Sequence, residues 1–249
     1  MSRRITHTHI RTADRSAAET AASAAPQLLR LLHLASPALP IGAFHFSQGL
    51  EYAVECGWVK DESSALAWIE GLASASLTTL DLPVLERLRM AWRQDDTQGV
   101  LRWNAFLIAS RETEELRAED RHLGSALLRV LVELELTTEV FPLNAANTQP
   151  GVSHASAFAF ACARWGIEAS ASSLTYAWAW AENQVLAAVK LVRLGQSAAQ
   201  RMLHALCARI PLLVERAHKL TDSDIGISTA LSAVASGRHE TQYSRLFKS

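Results

Sequence analysis

The chain reads as all-α, a single helical domain of roughly nine or ten helices. Alanine and leucine dominate its periodic segments, and both are strong helix formers. Proline and glycine are scarce inside those segments, and runs of β-branched residues are nearly absent, which argues against strands. Apolar residues recur at helical rather than alternating spacing. At 249 residues, with 49% hydrophobic and 20% charged, the chain is long enough to bury a sizeable core.

Taken in order, residues 1–25 carry Arg3, Arg4, Arg11 and Arg15 but no apolar h-region. That argues against a secretory signal, and Asp14 and Glu19 argue against a transit peptide. A flexible N-terminal arm is expected. A first helix opens at Pro26, where a missing N–H does no harm. It ends before Ser36-Pro37, because the residue ahead of proline avoids the α region. Residues 36–46 form a loop held by Pro37, Pro40 and Gly42.

Ser47 is the expected N-cap of the next helix, with Glu51 in its first turn and Gly57 as the stop. Asp61 caps a helix whose stripe is Leu66, Ile69, Leu72, Ala73 and Leu77. A new helix is expected where Asp81 precedes Pro83, with Leu85, Leu88 and Trp92 as its stripe. Gly99 loosens the link to a segment bearing Val100, Trp103, Phe106 and Leu107. The charged stretch 111–121 leads into an apolar helix reaching Leu136, and 144–151 is a polar loop. Residues 153–165 read as a buried helix closed by Gly166. Ser170 caps a long helix to about Leu191, Ser197 another to about Lys219, and 225–235 form the last. The expected organisation is therefore an arm over 1–25, a helical domain over 26–235, and a C-terminal tail over 236–249.

The composition limits function. A formal net charge of -1 speaks against a nucleic-acid binder, which shows a basic excess. No run of 18 apolar residues suggests a membrane span. Cys56, Cys162 and Cys207 have no zinc-ligand spacing and no Cys-x-x-Cys; they read as thiols in a reducing compartment. The phosphate-loop pattern Gly-x-x-x-x-Gly-Lys-Ser/Thr, His-Glu-x-x-His and Gly-x-Ser-x-Gly are all absent from the sequence. Of nine histidines, His7 and His9 could share a metal ion, but two ligands on an arm bind weakly. His33, His154, His204 and His218 stand singly on helices. No metal, cofactor or catalytic set is expected.

Three polar segments carry interest. Arg111-Glu112-Thr113-Glu114-Glu115-Leu116-Arg117 begins a stretch with only Leu116 and Ala118 apolar up to Arg121. Glu114 with Arg117 supports a helix by ~0.2–0.5 kcal/mol, while like charges at Glu115/Glu119 and Arg117/Arg121 oppose it. A solvated helix face accounts for this; a docking surface for a charged partner is the sharper alternative, and periodicity alone favours the former. Glu182, Asn183 and Gln184 interrupt an apolar helix, with Lys190 continuing the polar face. They form either a satisfied internal network or an interface. The tail holds Arg238, His239, Glu240, Tyr243, Arg245, Leu246 and Phe247. A frayed end is the usual fate of terminal residues, yet the apolar ones suit a segment that orders on binding.

Together these segments resemble the urease accessory protein family UreF. The loop Leu34-Ala35-Ser36-Pro37-Ala38-Leu39-Pro40-Ile41-Gly42-Ala43-Phe44, followed by Ser47-Gln48-Gly49-Leu50-Glu51, is similar to that family's N-terminal motif. Arg111-Glu112-Thr113 with Glu115-Leu116-Arg117 resembles its central motif. Trp180 through Lys190, then Leu194-Gly195-Gln196, resembles a third, and His239 to Ser249 the C-terminal signature. The resemblance spans about residues 26–249. The chain departs from it at His45 and Phe46, where a small polar residue and a tyrosine are expected, at Arg193 for proline, and at Ala199 for glycine.

The resemblance implies an all-α cytoplasmic homodimer without catalytic activity. It implies a complex with UreD (also called UreH) and the GTPase UreG on the urease apoprotein, supporting GTP-dependent nickel delivery. The tail and the Pro37–Gly42 loop would face UreD, and a surface bearing Arg and Glu would face UreG. An alternative is regulation of GTP hydrolysis, which needs an arginine at the transferring phosphate or a surface that orders the switches. Arg111, Arg117 and Arg238 are available, and no spacing rule selects one. A third reading is nickel binding by His7 and His9.

Overall fold

The computed structural model describes residues 25–136, 151–226 and 229–249. Within them lie ten α-helices and no strand. These are α1 (25–34), α2 (Leu50–Glu55), α3 (Glu62–Leu72), α4 (Leu82–Arg93), α5 (Thr97–Ala109), α6 (Glu114–Glu133), α7 (His154–Arg164), α8 (Ala169–Val192), α9 (Gln196–His218) and α10 (Ala230–His239). The arm with His7 and His9 lies outside the described residues, as does the 144–151 loop save for Gly151.

Several helix starts follow from capping. Asp61 Oδ1 accepts from Ser64 N at 2.8 Å, Asp96 Oδ1 from Gly99 N at 2.9 Å, and Ser153 Oγ from Ser156 N at 3.1 Å; each satisfies an otherwise orphaned N–H. Gly99 therefore belongs to the first turn of α5 instead of loosening a link. Three expected caps are displaced. Gly49, Glu168 and Gly195 occupy the N-cap positions instead of Ser47, Ser170 and Ser197. The backbone at Glu168 and Gly195 is extended, so the helix has already begun at the serine that follows. At α2 the chain enters through left-handed Gly49, φ 81°. A Cβ there would sit 3.0 Å from Ser236 N, so glycine lets α2 and α10 meet. Gly57 stops α2 as expected: Trp58 N bonds Ala53 O at 2.9 Å and Gly57 N bonds Val54 O at 3.0 Å.

The expected break at Asp81 does not occur. A π-helical stretch, Ala73–Asp81, joins α3 to α4 without interruption. Pro83 cannot donate to the carbonyl four residues back, and Thr79 O instead accepts Gly226 N at 3.0 Å. Thr78 Oγ1 and Thr79 Oγ1 donate to Ala73 O (2.6 Å) and Ala75 O (2.7 Å) in the widened turns. The stretch ends on Asp81, an acid in an apolar run, held at 7% exposure.

α4 packs on α7 and α5, α7 also on α6, and α8 on α9. Phe158, Phe160, Leu85, Leu88, Leu127 and Leu131 fill the centre. Gly124 of α6 lies against the entry to α7. A Cβ there would fall 2.2 Å from Val152 O and 2.6 Å from Ser153 C, contacts with backbone that cannot yield cheaply. Gly124→Ala is expected to lose about 1–3 kcal/mol, read as a lower urea midpoint with unchanged slope.

α10 runs to His239, so residues 236–239 are its last turn and not the beginning of the tail. The remaining tail is folded back onto the helices: Phe247 is 5% exposed and Ser249 is buried.

Candidate functional site

The four segments singled out in the sequence meet on one side of the molecule, and the tail ties them together. Glu51 of α2 is the knot. Its Oε1 accepts Leu246 N at 2.7 Å, and its Oε2 accepts Phe247 N at 2.9 Å and faces His239 Nε2 at 3.2 Å. The other ring nitrogen of His239 lies 2.7 Å from Glu115 Oε2. Carboxylates only accept, so both contacts are made together when the ring carries both protons. Glu115 also pairs with Arg245, and its backbone N–H donates to Glu240 at 3.2 Å.

The tail's last residues reach the N-terminal loop. Ser47 donates to Ser249 O from its N–H (2.8 Å) and its hydroxyl (2.5 Å), and Lys248 N donates to His45 O at 2.7 Å. Ser249 Oγ donates to Glu119 at 2.6 Å, Gln48 Nε2 to the same carboxylate at 2.8 Å, and Trp180 Nε1 to Gln48 Oε1 at 2.9 Å. Asn183 Nδ2 donates to Phe46 O at 3.3 Å. The Lys190 ammonium stands 5.7 Å from the centroids of both Phe44 and Phe247, within cation–π range.

Beside this latch opens a cleft of ≈ 140 Å³. Leu34, Pro37, Ile41, Phe44 and Leu186 contribute to its apolar walls, and Glu112 and Glu182 also line it. At its base Arg111 bridges Asp81 (2.5 Å) and Asp120 (2.9 Å). Burial opposes the charge on Arg111, but the two aspartates hold it well above the usual arginine range. Tyr176 and His154 complete the base, their rings 5.2 Å apart.

Burial raises Asp81 and Tyr176 as well, but Glu119 and His154 are shifted in opposite senses. Burial raises Glu119 to about 7, against hydrogen bonds from Ser249 and Gln48. Burial lowers His154 to about 4, with Asp120 opposing and Arg111 assisting. For Glu119 the folded value exceeds the unfolded one, so its stabilisation falls as pH rises from the ordinary value near 4.5 to about 7. For His154 the folded value is depressed, so its stabilisation falls as pH drops from 6.5 to about 4. Across the overlap the two slopes oppose each other. Glu119→Gln is expected to leave a stability that rises with pH between about 4.5 and 6.5, and His154→Phe one that falls. Urea titrations across that range check both.

The remaining expected site residues divide clearly. Glu112 is exposed, while Arg117 bonds Glu114 (2.9 Å) and Arg111 O (2.7 Å). The 111–121 stretch is thus not a simple solvated face, because Glu119 and Asp120 are buried. Glu182 and Asn183 line the cleft, whereas Gln184 turns into the core, and neither of its amide atoms is bonded among the described residues. Pro40 is exposed, and Gly42 takes φ 76°. Arg238 is exposed and makes no ion pair among the described residues. Tyr243 and Leu246 project outward, 105% and 67% exposed. Sequence reasoning missed Asp81, Glu119, His154 and Tyr176 as site residues and gave Glu51 only a helix-end role. The one visible signal was an acid in an apolar run, Leu80-Asp81-Leu82.

Among the described residues no group of three or more His, Cys, Asp or Glu could hold a metal, and no helix is long and apolar enough to cross a membrane. The family profile described as UreF matches residues 59–207. The chain is 45% identical to the urease accessory protein UreF of Azoarcus sp. (strain BH72), over 89% of this chain and 95% of that one. It is 44% identical to that of Alkalilimnicola ehrlichii, over 88% and 95%. It is 45% identical to that of Teredinibacter turnerae, over 90% and 99%.

Proposed function

The chain belongs to the UreF family of urease accessory proteins, and from that premise we propose that it is a cytoplasmic, non-enzymatic scaffold. It holds UreD and the GTPase UreG on the urease apoprotein while nickel is inserted, and it works as a homodimer. The observation that supports this best is the meeting of all four motif segments on one latched face that bears exposed Phe44, Tyr243 and Leu246. Aromatic and apolar side chains exposed beside ordered backbone are what a protein interface uses. The tail and the Pro37–Gly42 loop face UreD, and the surface from Glu112 to Arg117 faces UreG.

A chain lacking residues 239–249 is expected to lose co-purification with UreD while keeping its helical circular dichroism. Unchanged co-purification would reject the assignment of the tail. A regulatory effect on UreG turnover is the second reading. Arg238 favours it, since Arg111 and Arg117 are engaged internally and Arg238 is not. Arg238→Ala should then remove any change in GTP hydrolysis that the wild-type chain produces, and a retained change rejects that role.

A further inference from the structure

We propose that the cleft beside the latch is the seat of one arginine side chain supplied by a partner protein. This rests on the reading of the chain as a scaffold and names the chemistry of one contact.

The cleft is built for a cation on an aliphatic stem. Part of its wall is apolar, from Leu34, Pro37, Ile41, Phe44 and Leu186, and its volume of ≈ 140 Å³ suits a single long side chain, close to the roughly 150 Å³ of a cavity that accepts benzene. Among the described residues lining it, Arg111 is the one permanent cation, and its guanidinium is already shared between Asp81 and Asp120. That triad carries one negative charge in excess when both acids are ionised. Glu112 and Glu182 add two carboxylates that make no ion pair or hydrogen bond among the described residues. Burial with no compensating cation raises Glu182. Tyr176 is 6% exposed and lines the cleft, with no hydrogen-bond partner for its hydroxyl among the described residues.

Two carboxylates without a protein cation, beside a hydroxyl without a protein partner that opens on the cleft, offer acceptors to an incoming donor group. Arginine supplies several donors in a planar fork, keeps its charge on desolvation, and lays its methylenes along apolar walls. A compact ammonium has fewer donors and holds its water more strongly. An uncharged side chain would leave the carboxylates unanswered.

The test uses the full-length chain and propylguanidinium as probe, with propylurea as the neutral analogue of the same shape. Trp180 lines the cleft, and its indole N–H resonance, assigned by its loss in Trp180→Phe, reports occupancy. Propylguanidinium is expected to shift that resonance saturably and propylurea is not. Glu182→Gln and Glu112→Gln, both at partly or fully exposed positions, should each weaken the response at least about tenfold, as loss of a charge-assisted contact does. Tyr176→Phe should weaken it less. No saturable shift, an equal shift from propylurea, or indifference to both glutamine variants overturns the proposal. Co-purification of the wild-type chain with UreD separates the two readings: if the partner binds and the probe does not, only the arginine seat fails. If no partner binds, the scaffold fails whatever the probe does.

Discussion

Arg111→Met is expected to cost about 3–5 kcal/mol of folding stability, the usual penalty for leaving buried charges without their partner. The Arg111 side chain is 14% exposed, and the side chains of the two acids it joins, Asp81 and Asp120, are 10% and 4% exposed. Removing it leaves two acids side by side whose burial already disfavours the charged form, as the raised Asp81 shows, so keeping both ionised becomes costly. Asp120 cannot simply turn away, because its Oδ1 also accepts His154 N at 2.7 Å at the start of α7. The triple variant Arg111→Met, Asp81→Asn, Asp120→Asn should recover most of the loss, since replacing a whole buried ion network is often close to neutral. Urea midpoints of the single and triple variants measure this. A single variant as stable as the parent would show that the triad contributes little and that the base of the cleft is not held by charge.

Glu51→Ala is expected to release the tail while the helices stay folded. One carboxylate, 8% exposed, accepts two consecutive backbone N–H groups, Leu246 and Phe247, and faces His239. A hydrogen bond to a charged group contributes roughly 1.5–3 kcal/mol, so losing two favours the open tail by on the order of 100-fold or more. Local opening of this kind leaves global stability largely intact. Trypsin should then cut after Arg245 much faster, with little change in circular dichroism, and UreD should bind more weakly. Glu51→Gln keeps one acceptor and should fall between. Tail cleavage at the parental rate would show that the latch is held elsewhere, through Ser47 and Ser249 or Arg245 and Glu115.

How much of this was legible in the sequence depended on the range of the interaction. Helices over Glu62–Leu72, Glu114–Glu133 and His154–Arg164 were readable because apolar spacing and caps are local signals. The continuity across Asp81 was not, because Pro83 suggests a break unless the freed Thr79 carbonyl finds Gly226, a residue far along the chain. The displaced starts of α8 and α9 show the weakness of serine as a cap signal: the hydroxyl fits both at the cap and one or two residues into the first turn. For the candidate site, the four segments could be marked separately, but nothing local showed that they meet. Glu51 and Glu119 look like ordinary helix acids. Their importance comes from Leu246, Phe247 and Ser249, distant in sequence. The polar run Glu182-Asn183-Gln184 likewise looked like one face, and the turn of α8 sends Gln184 the other way.

The most direct test of the central claim, that one latched face docks the partner, is amide hydrogen exchange of this chain with and without UreD. Protection is expected to appear together over residues 36–51, 180–191 and 239–249, with the far surface of α9 unchanged. Protection confined to α9, or to the tail with the loop and α8 unaffected, would contradict it.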